Sequence, residues 1–181
     1  MRYGLRYDQH LIRFRLLDPA LALSGFTDLT LPLEDFCRLN LNVDTVYITE
    51  NKVNGLAFPQ AARSMVIFSL GYGIVSLSRA VWLKSKRLVY WGDLDTHGFA
   101  ILSHCRALFP QTVSMLMDSD TLTANRSLCV TEASPVKEMP TGLTASEHAV
   151  WAALTPTEGS SLRLEQERIP YRQLEACLQL V

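Results

Sequence analysis

An α/β fold, with a mostly parallel sheet covered by helices, is what this 181-residue sequence predicts. Three observations predict it. Four short apolar runs, at 46–50, 65–70, 88–93 and 113–117, show little alternation of apolar and polar residues. That is the pattern of strands buried on both faces of a parallel sheet. Helically spaced apolar residues between the later runs supply the crossovers that parallel neighbours need. Finally, 48% apolar and 19% charged residues describe a globular chain, and one of this length buries roughly 70% of its extended surface.

The elements follow in order. In LIRFRLL, Ile12, Phe14 and Leu16 alternate with Arg13 and Arg15, which predicts a half-exposed strand. Pro32 opens a short helical stretch carrying Leu33, Phe36, Cys37 and Leu39. VYITE (46–50) is the first buried strand, and residues 53–63 read as a loop or short irregular element. MVIFSL (65–70) is the second, followed by Gly71-Tyr72-Gly73 and a helix carrying Ile74, Leu77, Val81 and Trp82. LVYWGD (88–93) is the third. A helix from about Gly98 follows it, with Ile101, Leu102, Cys105, Leu108 and Phe109 on one side and Pro110 as its stop. VSMLM (113–117) is the fourth, ending at Asp118, and 124–143 reads as a long loop. Thr144 to Glu147 forms a capping box opening a helix that ends before Pro156. SLRLEQERI (161–169) reads as a strand, and Pro170 starts a last helix with Tyr171, Leu174, Leu178 and Val181 at helical spacing.

In such sheets, ligands bind at the carboxyl ends of the strands. Those ends carry Glu50, Asn51 and Lys52 after the first strand, Gly71 and Gly73 after the second, Asp93, Asp95 and His97 after the third, and Asp118 and Asp120 after the fourth. Were the third strand to continue through Asp95, Asp93 and Asp95 would share one face with Cα atoms about 6.6 Å apart. Two carboxylates that close repel unless a cation lies between them. A hard divalent ion such as Mg²⁺ takes oxygen ligands of this kind. The same acids equally suit a helix N-cap and a solvated loop. Gly71 and Gly73 suit a tight turn or close backbone approach. His97 fits a helix start or a substrate contact, and Asp118 a cap or a supporting acid.

The totals limit the partners. Seventeen basic residues face eighteen acidic ones, for a net charge of −1, so any nucleic-acid surface must be a local patch or come from another domain or subunit. No apolar run approaches the ~20 residues of a membrane span, and the start carries no signal-peptide pattern. Cys37, Cys105, Cys129 and Cys177 form no CxxC pair and read as reduced thiols of a cytoplasmic protein. A zinc site using His104 and Cys105 is disfavoured, because helix neighbours point apart.

A strand ending in Glu50, a glycine loop after the next strand, and a third strand ending in Asp93-Leu94-Asp95 with Gly98 beyond resemble the Toprim domain. That Rossmann-like domain occurs in topoisomerases, primases, recombination mediators and a group of nucleases, and the arrangement here is most similar in type to the A subunits of type IIB topoisomerases. More narrowly, ENK (50–52), YWGDLDTHGFAIL (90–102), LMD (116–118), LEQERIP (164–170), RFRLLDPAL and LPLEDF (31–36) resemble the C-terminal domain of the nuclease subunit of Wadjet. Wadjet is a bacterial plasmid-defence system built around an SMC-type motor.

The resemblance implies a Toprim core over 46–123, an N-terminal extension over 1–45 and a C-terminal α/β extension over 124–181. It implies a homodimeric, Mg²⁺- or Mn²⁺-dependent nuclease acting on double-stranded plasmid DNA, with DNA-binding helical elements lying N-terminal to this stretch. Asp93 and Asp95 would hold the ion, Glu50 would be a further ligand or acid–base group, and Lys52 would stabilise phosphate charge. Glu165 and Glu167, on one side of the predicted LEQERI strand, would hold a second ion or face solvent. Two other readings stay open: a Toprim module that binds DNA or partners without cutting, and a phosphatase with an aspartyl nucleophile, which also begins with DxD after an apolar strand.

Overall fold

The computed structural model describes residues 10–179. Strand β1 (Leu11–Leu16) shows the predicted alternation, with Ile12, Phe14 and Leu16 buried and Arg13 and Arg15 half-exposed. It pairs antiparallel with β2 (Asp28–Pro32), a strand the sequence reading missed because Pro32 drew attention to the helix behind it. The Arg13 guanidinium grips Asp28 across the pair at 2.7 and 3.1 Å. Helix α1 (Leu33–Cys37) then starts directly after Pro32, as expected.

Strands β3 (Thr45–Thr49), β4 (Ser64–Phe68) and β5 (Arg87–Trp91) are parallel, with β3 between the other two. Helix α2 (Lys52–Ala57) follows β3 where a loop or irregular element was expected, because the Asn51 side chain accepts from Val53 N at 2.7 Å and caps it. Strand β1 adds antiparallel to β4, so the chain's opening widens the same sheet.

The segment between β4 and β5 corrects the sequence reading. An α-helix was expected from Ile74, Leu77, Val81 and Trp82. The chain instead makes two 3₁₀ runs, Gly71–Arg79 and Val81–Ser85. The buried residues are Ile74, Leu77, Ala80 and Leu83, spaced by three throughout, while Val81 is exposed. Three residues per turn is the 3₁₀ period, and the mixed 3 and 4 spacing of an α-helix is absent.

Helix α3 (Thr96–Leu108) starts two residues before the expected Gly98, and β6 (Val113–Ser114) is a two-residue strand beside β5. The six-stranded sheet runs β2-β1-β4-β3-β5-β6, mostly parallel and flanked by helices. After α4 (Ser119–Ala124), the expected loop contains β7 (Val130–Thr131). Helix α5 (Ala145–Leu154) has its capping box, and β8 (Leu162–Arg163) pairs antiparallel with β7. The strand expected over 161–169 is therefore cut short. Residues Gln166–Arg168 turn into a 3₁₀ run, because Gln166 is tied to the ends of β3 and β5. Helix α6 (Tyr171–Gln179) ends the described chain, and Val181 lies outside the described residues.

Register places the site. Thr49 of β3 pairs with Phe68 of β4 and Trp91 of β5. Glu50, the Gly71–Gly73 turn and Asp93 therefore all emerge at one sheet edge. Leu94 and Leu164 exchange two backbone hydrogen bonds, each 3.0 Å, and fasten the end of the β7–β8 ribbon onto that edge.

Candidate functional site

Glu50 leaves β3 beside the buried Tyr90 of β5, whose phenol donates to Glu50 Oε1 at 2.6 Å. Burial raises the Glu50 carboxyl to about 7, and the charges of Asp93 and Asp95 push the same way, against the hydrogen bond from Tyr90. This closeness needs Gly92: a Cβ there would collide with Glu50 Oε1 and the Tyr90 phenol. Gly98 has a matching role, since a Cβ on it would meet the Asp93 carbonyl. Both glycines in GDLDTHG thus serve close packing around the acids.

Strand β5 ends at Trp91, so Asp93 and Asp95 do not continue it. They are nevertheless gathered by one partner, Arg163 of β8. Asp93 Oδ1 accepts from Gln166 N at 2.8 Å, and its Oδ2 accepts from Arg163 Nη2 at 2.6 Å. Asp95 caps α3, its Oδ1 accepting from Gly98 N at 2.7 Å. Its Oδ2 lies 3.2 Å from Arg163 Nε, close enough for charge attraction, yet that buried Nε has no hydrogen-bond partner of good geometry. Burial also raises the Asp95 carboxyl, to about 6; Asp93 and Glu132 add to the rise, while Gly98 N–H and Arg163 oppose it.

Glu132 was not foreseen. It is buried at the start of α3, where it accepts from Thr96 Oγ1 at 2.5 Å and from Thr96 N at 3.2 Å. A carboxylate is well placed at a helix N-terminus. On the rim, Tyr72 Oη is 2.7 Å from His97 Nδ1, and His97 Nε2 is 2.8 Å from the Ser134 carbonyl. A carbonyl can only accept, so Nε2 carries a proton, and in the neutral ring Nδ1 then accepts from the Tyr72 hydroxyl. Gly71 supports this turn with φ +47°, which favours glycine. Gly73 donates its N–H to Leu70 O within the same turn.

The remaining expected residues divide. Glu165 reaches the cluster's edge, 3.8 Å from Arg163 Nη2, but its closer partner is Arg168 at 2.9 Å. Glu167 is exposed on the 3₁₀ run and accepts from Asn51 Nδ2 at 2.8 Å, so the two glutamates do not share a strand face. Asp118 is an exposed cap of α4, accepting from Thr121 N at 2.7 Å, and Asp120 is exposed in that helix's first turn. Lys52 is exposed at the start of α2, and its charge acts on Asp28 at the far end of the sheet order. Among the described residues, no ion pair or hydrogen bond joins it to Glu50, Asp93 or Asp95. All four cysteines are free, and His104 packs its ring on Tyr72 while Cys105 is buried beside Thr112.

As donors for a hard divalent ion, Glu50, Asp93 and Asp95 fit in kind: oxygen ligands, close enough to repel, just beyond the ends of β3 and β5. Their side chains do not form a ready cage. Among the described residues, no three histidine, cysteine or acidic side chains are grouped to hold one ion. The positive charge between Asp93 and Asp95 is instead the Arg163 guanidinium. Arg163 and Gln166 went unnoticed in the sequence, although Arg163 stands between Leu162 and Leu164 as the polar member of an alternating strand. No described helix is long and apolar enough to cross a membrane.

A family model described as Wadjet protein JetD, C-terminal, matches residues 4–178 of the chain. No curated protein matches it.

Proposed function

This chain belongs to the Wadjet JetD C-terminal family, a membership that carries a plasmid-defence role, and from it we propose a Toprim-type DNA endonuclease domain that uses Mg²⁺ or Mn²⁺ to cleave phosphodiester bonds in plasmid DNA. In this reading it works in the cytoplasm as a homodimer beside the SMC-type motor subunits. The observation that carries the reading is the gathering of Glu50, Asp93 and Asp95 at one sheet edge, with two of the three carboxyls raised to about 7 and about 6. Burial is the main cause of both rises and the neighbouring acids add to it; a bound cation would relieve both.

Asp93 and Asp95 would hold the ion, and Glu50, fixed at Oε1 by Tyr90, would complete the set. A bound divalent ion supplies Lewis acidity to the phosphoryl group and an activated water. The protein's part is to fix the ligands. Gln166 N–H anchors Asp93 and Gly98 N–H anchors Asp95, so each carboxylate keeps one oxygen set by the backbone. Tyr72, its hydroxyl oriented by His97, stands at the rim, and Lys52 at the neighbouring helix start is available to the DNA backbone at longer range.

The test is plasmid cleavage by the full protein with its partner complex and Mn²⁺. Asp93→Ala and Glu50→Ala should each lower cleavage roughly 10³-fold, the several kcal/mol a metal ion supplies. Cleavage that persists in both variants overturns the assignment. One observation favours a second reading, a module that binds DNA or partners without cutting: Arg163 already pairs with both Asp93 and Asp95. Intact plasmid with undiminished complex assembly would favour that reading.

A further inference from the structure

We propose that Arg163 is an exchangeable counter-cation of the strand-tip acids, holding the same two carboxylate oxygens that a divalent ion would take. The inference rests on the metal reading of this site.

The carboxylate oxygens of the two aspartates divide by their partners. Asp93 Oδ1 is committed to Gln166 N–H and Asp95 Oδ1 to Gly98 N–H. That leaves the two Oδ2 atoms, and both face Arg163, at 2.6 Å from Nη2 and 3.2 Å from Nε. A hard ion binds carboxylate oxygen at roughly 2.0–2.6 Å, so ion and guanidinium compete for one place. They compete sterically even where the total charge would allow both.

Arg163 is also an imperfect occupant. A well-matched arginine–carboxylate pair is bidentate, with two parallel N–H donors. Here the Nε is buried without a hydrogen bond, and the guanidinium is shared between carboxylates of two residues. Its side chain is 39% exposed, so a route outward exists. A third carboxylate is close by, since Glu165 Oε1 is 3.8 Å from Nη2. The ribbon that carries Arg163 does not have to move with it. Leu164 is held to Leu94 by two backbone bonds, and Gln166 to Asp93 and Trp91, so only the side chain need turn.

The arrangement has a thermodynamic consequence. An ion that binds only the Arg163-out state has its affinity reduced by the fraction of molecules in that state. Removing the guanidinium removes that reduction, while an arginine serving only to hold the ligands in place would, on removal, weaken ion binding.

The experiment is a Mn²⁺ titration of the full chain, free of DNA, followed by the electron paramagnetic resonance of unbound Mn²⁺. Arg163→Met, which keeps the stem and loses the charge, is expected to bind Mn²⁺ about 10-fold tighter than the wild type. Arg163→Lys, a smaller change that keeps a cation, should fall between them; it also serves as the test if the methionine variant does not fold. Wild type that binds Mn²⁺ while the variants bind equally or more weakly overturns the exchange and leaves the metal reading intact. Failure of wild type and variants alike to bind at millimolar Mn²⁺ overturns the metal reading and the exchange with it.

Discussion

Among the described residues, Arg106 and Arg163 both meet buried acids, and they do so in opposite ways. Arg106 of α3 grips Glu147 of α5 with two donors, at 2.5 and 2.9 Å. The same glutamate accepts from Ser114 Oγ and from Thr144 N, and Arg106 also donates to the Thr112 and Gly142 carbonyls. Burial alone would raise the Glu147 carboxyl, but these bonds outweigh it and hold it at about 2. Arg163 serves Asp93, Asp95 and, farther off, Glu165 with one guanidinium, and burial pushes Asp95 and the neighbouring Glu50 up instead. Equal numbers of charges with every polar atom partnered make a fastening. An excess of acid at a strand edge makes a place with unspent affinity for positive charge.

The largest expected effect breaks the fastening. Glu147→Ala leaves Arg106 with little exposure and no counter-charge, and removes the carboxylate half of the α5 capping box. Stability should fall by about 3–5 kcal/mol, read by urea denaturation at pH 7. A loss below ~1 kcal/mol would mean that the pair is not the clamp between α3 and α5 that its geometry indicates.

The next effect has the opposite sign and sits in the strand-tip cluster. A carboxyl raised from 4.5 to about 7 favours folding below pH 4.5, and that contribution is lost as pH rises through 7. Asp95, raised from 3.8 to about 6, acts alike over its own range. Glu147, lowered from 4.5 to about 2, contributes above pH 4.5 and loses its contribution as pH falls towards 2. Without divalent ions, these groups together favour a stability maximum at mildly acidic pH. Glu50→Gln should stabilise the protein on the order of 2 kcal/mol at pH 8, with the gain gone at pH 4, measured by denaturation at both values. Destabilisation at pH 8 would place the Glu50 charge among the fold's supports.

These two regions were not equally legible in the sequence. The strand tips were, because apolar runs that stop at Glu50 and in GDLD mark where buried strands meet water. The Thr144–Glu147 capping box was too, since its four residues are contiguous. Arg163 was not, because it reaches Asp93 across 70 positions through a two-residue ribbon whose pairing no local periodicity announces. Glu132 lay hidden in what read as a loop, and Arg106 gave no signal of its own within a helix read from its apolar side. The 3₁₀ segment failed for a finer reason: Ile74 and Leu77 fit both helical periods, and only Ala80 and Leu83 being buried decides between them. Acids at strand ends follow from chain order, whereas the cation that answers them depends on tertiary packing.

The smallest effect compares the two helix caps that these acids serve. Thr144 Oγ1 accepts from Glu147 N at 3.3 Å, and its own N–H donates to the Glu147 carboxylate. Thr144→Ala removes the hydroxyl acceptor and should cost ~1 kcal/mol. Asp95→Asn keeps an oxygen that can accept from Gly98 N. It loses attraction to Arg163 but also repulsion from Asp93 and Glu132, terms of opposite sign. Burial of the charge, the largest cause of the raised carboxyl, is relieved as well, so the variant should be stabilised by about 1 kcal/mol at pH 7, read by urea denaturation alongside Thr144→Ala. If Asp95→Asn costs more than the threonine substitution, its carboxylate belongs with Glu147 as a structural charge. If the two fall in the expected order, α3 needs only an oxygen at its start, and the negative charge at Asp95 is there for something other than the helix.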